Sequence, residues 1–263
     1  PASAAHTASI KQLPTSPLLR GDEMRSRFIV SVLGAGVVAL AVGCGGGQGG
    51  GHSTTPAPPK GTTTVAPTLA LNRIDELILA PDVVSDIVGA KLNWASKPPP
   101  GATRPQPPIA VDEGNPECAA LMGPAADTVG VVYTAWRSNQ YRDNDTDTFE
   151  HAVYQAVATV PDSKAATQLL DTAFIKAVNS CDNAVLHRKD GQAQWRYQKS
   201  DATGTDARWT ATQLQDGRVV GWICSNEARA KNNVVVYVQV CQYGNGAPAA
   251  TTIVDKISEK VPG

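Results

Sequence analysis

The chain has 263 residues, 23 Lys and Arg against 24 Asp and Glu, and a formal net charge of −1. That balance excludes the basic footprint of a nucleic-acid binder and the polybasic patch that holds a protein on anionic lipid. Hydrophobic residues make up 42% of the chain, enough for a domain with a substantial core.

Residues 1–23 begin with Pro1 and precede Met24-Arg25-Ser26-Arg27, two arginines ahead of the uncharged apolar run Phe28 to Leu40. A charged start, an apolar stretch and closing small residues are the layout of a bacterial secretory signal, whose charged end belongs at the N-terminus. Translation is therefore expected to start at Met24, with residues 1–23 an upstream extension outside the fold. Residues 24–43 form the expected signal peptide. The apolar run is too short for a span of about 20 residues, so it is expected to be cleaved. Ala41-Val42-Gly43-Cys44 resembles the lipobox of bacterial lipoproteins, which implies diacylglycerol on the Cys44 thiol as the first mature residue. Without residues 1–43 the chain keeps 19 basic and 22 acidic residues, so charge does not hold it to a membrane. The two or three acyl chains that the lipobox implies would anchor it on the extracytoplasmic face of the cell membrane.

Residues 44–68 are that cysteine and a Gly, Ser, Thr and Pro segment with little apolar to bury, expected to be a disordered tether. As a coil it would reach about 25 to 30 Å. Residues 69–263 form one domain. Leu71, Ile74, Leu77 and Ile78 recur at helical spacing up to Ala80-Pro81, and Asp82 is expected to cap a second helix that Gly89 stops. Lys97 to Pro108 holds six prolines and reads as an extended surface loop. A short helical turn is expected around Cys118 to Met122.

Val129 to Tyr141 and Phe149 to Val160 read as a hairpin joined by the polar run Arg142 to Asp147. Asp162 or Ser163 caps a helix with Ala166, Leu169, Leu170, Ala173, Phe174 and Val178 on one face. Further strands are expected at Ala184 to Arg188, Gln194 to Lys199, Ala207 to Leu214, Arg218 to Ser225 and Asn233 to Gln242, then a helix from Pro248 to Val261. Successive strands through short turns such as Asp216-Gly217 predict an α+β fold with a mainly antiparallel sheet.

With Cys44 lipidated, an even count of Cys118, Cys181, Cys224 and Cys241 in an exported chain predicts two disulfides, for which three pairings can be drawn. Folding Val219 to Cys224 and Val234 to Cys241 about a polar turn at Asn226 to Asn232 brings Cys224 opposite Cys241, which leaves Cys118 with Cys181. A zinc site would need close Cys or His pairs that the sequence lacks.

Gly221-Trp222-Ile223-Cys224, then Ala230-Lys231-Asn232-Asn233-Val234-Val235-Val236 and a closing Cys241, resembles the PknH-like extracellular sensor domain, that of the mycobacterial serine/threonine protein kinase H. The Cys118 to Cys181 spacing and the early helix ending in Pro81-Asp82 fit the same family. The resemblance covers residues 69–263 and implies a mixed helix and antiparallel-sheet domain with a cleft for an unidentified ligand. No kinase sequence is present in these residues, so any sensing is expected to work through a partner protein, or the protein only binds or carries something.

No Gly-x-Ser-x-Gly elbow occurs, and neither His151 nor His187 lies in a catalytic motif. Asp143, Asp145 and Asp147 alternate like the start of a calcium loop, but Thr148 stands where glycine is required and Tyr154 where glutamate is. A polar hairpin turn is the better reading, and no cofactor or metal is called for. Trp195, Tyr197, Arg208 and Trp209 could line a groove for an amphipathic or carbohydrate-like ligand, against the alternative that the tryptophans are sheet core. The expected function is a lipid-anchored module that binds a small or amphipathic ligand or an envelope partner. An envelope hydrolase with residues converging on His151 or His187, and a purely structural lipoprotein, are the alternatives.

Overall fold

A computed structural model describes residues 67–97, 101–146, 148–189 and 193–263. The expected upstream extension, the expected signal peptide, Cys44 and the expected tether up to Ala66 lie outside these residues.

The described chain opens with a 3-10 helix at Leu71–Leu77 that buries Ile74 and Leu77 and leaves Leu71 exposed. Helix α1 is Pro81–Val88, closed by Gly89 at φ 71°. Asp82 does not cap it: the cap position is Ala80, which makes no side-chain bond, and Pro81 occupies the first turn, where no N–H is needed. Asp82 instead places its carboxylate beside the helix's positive end. Strands β1 (Trp94–Ala95) and β2 (Val111–Glu113) flank the proline-rich loop. A 3-10 helix at Pro116–Met122 and the single turn α2 (Ala126–Val129) follow.

The strand expected from Val129 starts later, as β3 at Ala135–Arg142. Val129 ends a helix, Gly130 at φ 66° turns the chain, and Val131 and Val132 are exposed. Strand β4 is His151–Thr159. The Asp162 carboxylate accepts the Ala165 amide at 2.8 Å and caps α3 (Ser163–Leu170), which runs through a π-helical turn at Asp171–Ile175 into α4 (Lys176–Ser180). Then come β5 (Val185–Arg188), β6 (Gln194–Ala202), β7 (Asp206–Gln215), β8 (Arg218–Lys231), β9 (Val234–Tyr243) and α5 (Ala247–Glu259).

All nine strands join one antiparallel sheet in the order β1-β3-β4-β9-β8-β7-β6-β5-β2. Its edges are strands of two and three residues, too short to template pairing with another chain. The β7–β8 turn has positive φ at both Asp216 and Gly217, as the Asp-Gly pair demands. The polar turn expected at Asn226 to Asn232 is not a turn. Strand β8 runs on to Lys231, and the reversal takes only Asn232 and Asn233. Asn226 and Glu227 are buried within the ladder because each is fully partnered.

Side chains alternate across the sheet, so two cores form. On one face Val153, Val157 and the Val234, Val236, Val238 and Val240 series pack with Ile74, Leu77, Val84, Ile253, Val254 and Ile257. Here Glu227 accepts from Arg229 and Thr251 at 2.6 Å each, and Arg229 also binds Asp206 and Asp255 at 2.6 Å, which ties α5 to the sheet. Burial works against the Arg229 charge, but Asp255, Asp206 and Glu227 outweigh it and raise its pKa. On the other face α3 lies over β8 and β9, and Phe174, carried by the π-helical turn, stacks on Trp209 and Tyr237. The disulfides are Cys118–Cys181, with Cα atoms 5.8 Å apart, and Cys224–Cys241, at 3.9 Å across the β8–β9 ladder. Asn233 holds Leu69, and Gln155 holds both backbone groups of Leu79. Asn232 donates to the carbonyls of Pro67 and Pro262, so the chain enters and leaves the sheet at the β8–β9 turn. Among the described residues no helix is long and apolar enough to cross a membrane.

Candidate ligand cleft

The face that carries α3 is only half covered. Beyond the helix, β3 turns Ser138 and Gln140 to this face, β4 turns Tyr154, and β9 turns Tyr237, Gln239 and Cys241. Three adjoining cavities of about 200, 380 and 230 Å3 lie over these positions. Gln140 lines all three, Tyr154 and Gln106 join the first to the second, and Met122, Arg188 and Gln239 join the first to the third. Together they form a cleft, the usual shape of a small-molecule site.

Two walls rise over this floor. The proline-rich strap is paired to β3 through Ala102, whose amide donates to the Ser138 carbonyl at 2.8 Å and whose carbonyl accepts from Ser138 at 3.0 Å. So close an approach requires Gly101, at φ 90°, since a Cβ there would collide with the Ser138 carbonyl oxygen. The second wall is the end of the Pro116–Met122 helix. Asn115 caps it through the Glu117 amide at 3.0 Å, and Cys118–Cys181 fastens it to the turn after α4. The Ala126 amide binds the Gln106 carbonyl at 2.8 Å, which joins the walls.

Beneath the floor Asn226 accepts from the Tyr237 hydroxyl at 2.7 Å and the Gln239 amide at 2.9 Å. It donates to the Cys224 carbonyl at 3.0 Å, so the amide of Gln239 is held in place. Burial pushes the Tyr154 phenol up to about 12, with Ser138 lowering it, and burial raises Tyr197 and Tyr237 further. These hydroxyls therefore stay protonated at neutral pH, where Tyr237 donates to Asn226 and the others are available as donors rather than bases. At one end the cleft is aromatic: Phe149 meets Trp222 edge-on at 5.7 Å, and Trp222 meets Tyr243 at 5.3 Å. The Arg142 guanidinium stacks over Trp94 at 3.7 Å and Phe149 at 4.9 Å.

The structure divides the four expected groove residues. Trp195 and Tyr197 line the third cavity. Trp209 does not: it is 1% exposed beneath the helix and donates its indole N–H to the Leu121 carbonyl at 3.0 Å. Arg208 pairs with Glu227 across the ladder on the other face, 4.0 Å away, because adjacent strand residues cannot share a face. The groove of four is thus corrected to a cleft holding two of them. Gln106, Gln140, Tyr154, Arg188 and Gln239 were missed. The sequence signal was Gln239 set among the apolar residues of Val234 to Cys241, beside a proline-rich strap.

His187 Nδ1 lies 2.6 Å from Asp112, and His151 Nδ1 lies 3.4 Å from Asp143, whose carboxylate also accepts the Glu150 and His151 amides. Neither histidine lines the three cavities, and no hydroxyl bonds either ring among the described residues. Among those residues no three His, Cys, Asp or Glu side chains are grouped to hold a metal ion.

The architecture defines a disulfide-stapled α+β domain with an open cleft on one face of a single antiparallel sheet. The chain belongs to the PknH-like extracellular domain family, whose family model matches residues 69–260. It is 27% identical over 197 residues to the serine/threonine-protein kinase PknH of Mycobacterium bovis and to that of Mycobacterium tuberculosis. The match covers 73% of this chain but 32% and 30% of those kinases, so the chain spans about a third of these relatives. The crystal structure of the extracellular domain of PknH from Mycobacterium tuberculosis superposes with a TM-score of 0.64 at 24% identity, covering 74% of this chain and 97% of that one.

Proposed function

We propose that this protein is an extracytoplasmic sensor-type binding module, anchored to the cell membrane by lipid on Cys44, that holds a small or amphipathic ligand in the cleft. The carrying observation is the set of three adjoining cavities with Gln140 at their junction. Membership of an extracellular domain family, and disulfides that need an oxidising compartment, support the placement. The relatives matched are serine/threonine-protein kinases by name, and a sensor-type module of this kind would pass its ligand state to a partner protein.

Native mass spectrometry of protein extracted from its own envelope tests the cleft. A bound mass that disappears in Gln140→Trp, which plugs the junction, supports the reading, and a mass that survives the plug contradicts it. The anchor is tested separately with Cys44→Ser. That variant is expected to lose the lipid mass and leave the membrane fraction, and an unchanged distribution would rule out lipidation there.

A further inference from the structure

The two ends of the cleft differ in chemistry. Lys97 and Arg104 line the cavity under the strap, both with exposed side chains, and among the described residues no carboxylate lines any of the three cavities. Residues 87–111 carry Lys91, Lys97 and Arg104 and no acidic residue, in a chain whose overall charge is −1. This local excess is held in place: Asn139 donates to the Lys97 carbonyl at 3.3 Å, and the Ser96 hydroxyl lies 3.0 Å from Asn139 Oδ1. The strap's pairing with Ser138 fixes the Arg104 end. The far cavity is lined mainly by Phe149, Trp195, Trp222, Met122 and the Cys224–Cys241 disulfide, with Arg188 at its junction with the first cavity. Between them stand hydrogen-bond donors: the amides of Gln140 and Gln239 and the protonated phenol of Tyr154.

We propose that the cleft takes an anionic amphipath, with a phosphate or carboxylate head against Lys97 and Arg104 and an apolar part against Trp195, Trp222 and Phe149. This rests on the cleft being the ligand site. Cationic hydrogen-bond donors bind such heads through hydrogen-bonded ion pairs, which neutral sugars and cationic amphipaths cannot form. Because both cations are exposed, the electrostatic part is screened by salt.

The test is calorimetric titration with octyl phosphate, octyl glucoside and octyltrimethylammonium, each below its micelle concentration. Octyl phosphate is expected to bind about tenfold more tightly than octyl glucoside, with octyltrimethylammonium weaker still. The exposed double variant Lys97→Gln with Arg104→Gln should bring octyl phosphate down to the octyl glucoside level and leave octyl glucoside unchanged. Raising salt from about 0.05 to about 0.5 M should weaken octyl phosphate alone. Equal binding of the three probes, or octyl phosphate binding untouched by the double variant, overturns the anionic head and leaves the cleft reading intact. Octyl phosphate binding that persists in Gln140→Trp overturns the inference by placing the probe elsewhere. No saturable binding by any probe also overturns it, while the cleft reading then stands or falls on the native mass comparison.

Discussion

The two faces of the sheet are made by the same strands but filled differently. On β9, Val234, Val236, Val238 and Val240 point to the face closed by α5 and the N-terminal helices, and every one is at most 1% exposed. The residues between them, Val235, Tyr237, Gln239 and Cys241, point to the other face, where α3 covers the start of the strand and the cleft opens over Gln239 and Cys241. Branched aliphatic side chains interlock with helices and leave no space. Aromatic and amide side chains pave a floor that can hydrogen-bond a guest. One face therefore supplies stability, and the other spends part of its area on a site.

That division predicts the largest effect where the cleft face is fully packed. Trp209→Ala should lower unfolding stability by about 3–5 kcal/mol, since it empties a buried volume beside Phe174 and Tyr237. It also leaves the Leu121 carbonyl without its indole donor. Denaturant titration measures it. A loss below about 1 kcal/mol would mean the helix-covered half is as loose as the cleft.

The disulfides sharpen the same contrast. Replacing both Cys118 and Cys181 by serine reopens a separation of 63 residues and should cost about 4 kcal/mol, against about 3 for Cys224 and Cys241 with a separation of 17. Only the first pair fastens a cleft wall. Its loss should raise hydrogen exchange in residues 116–122, whereas loss of the second should leave that wall protected. Equal exchange in both variants would show that the wall is held without the bond.

Alkali probes the packing of the cleft face through its phenols, although burial raises Tyr141 on the other face as well. Tyr154, Tyr197 and Tyr237 all lie on the cleft face, and burial raises each above the ordinary value near 10. A group whose folded pKa is raised contributes stability that is complete below its unfolded pKa and lost as pH climbs toward the folded one. For Tyr154 that window runs from about 10 to about 12. Within it stability should fall by about 1.4 kcal/mol per pH unit for this group alone. Absorbance at 295 nm should show these phenols ionising only as the fold opens. Ionisation near 10 with near-UV circular dichroism retained would place them in water.

Much of this design was readable from residues. Strand alternation, the Asp162 cap and the facing positions of Cys224 and Cys241 all follow from local rules, and the hairpin register survived an error in the turn. That error has a physical cause. Asn226 and Glu227 look like solvated turn residues, yet they are buried because side chains of the ladder and of α5 satisfy them: Tyr237 and Gln239 for Asn226, Arg229 and Thr251 for Glu227. The cleft was hidden for a similar reason. It depends on where α3 stops and on a strap pinned by backbone pairing at Ala102, neither of which leaves a periodic trace. Trp209 and Arg208 were grouped by closeness along the chain, while the pleat sends them to different faces.

Trp195 gives the smallest stability effect and the sharpest reading of the comparison. It shares the cleft face with Trp209 and stands two strand positions from the sheet's buried Tyr197, but it is only half-buried and borders the third cavity. Trp195→Ala removes a wall that faces space already open, so little packing is lost and the cost should be about 1 kcal/mol. The same change strips the aromatic surface against which an apolar group would rest, so octyl glucoside and octyl phosphate should both bind more weakly by about tenfold. In Lys97→Gln with Arg104→Gln only octyl phosphate should weaken. If Trp195→Ala instead destabilised the fold as much as Trp209→Ala and left both probes bound, the two tryptophans would be equivalent core residues. The boundary between the packed and open halves of this face would then lie elsewhere than beside β6.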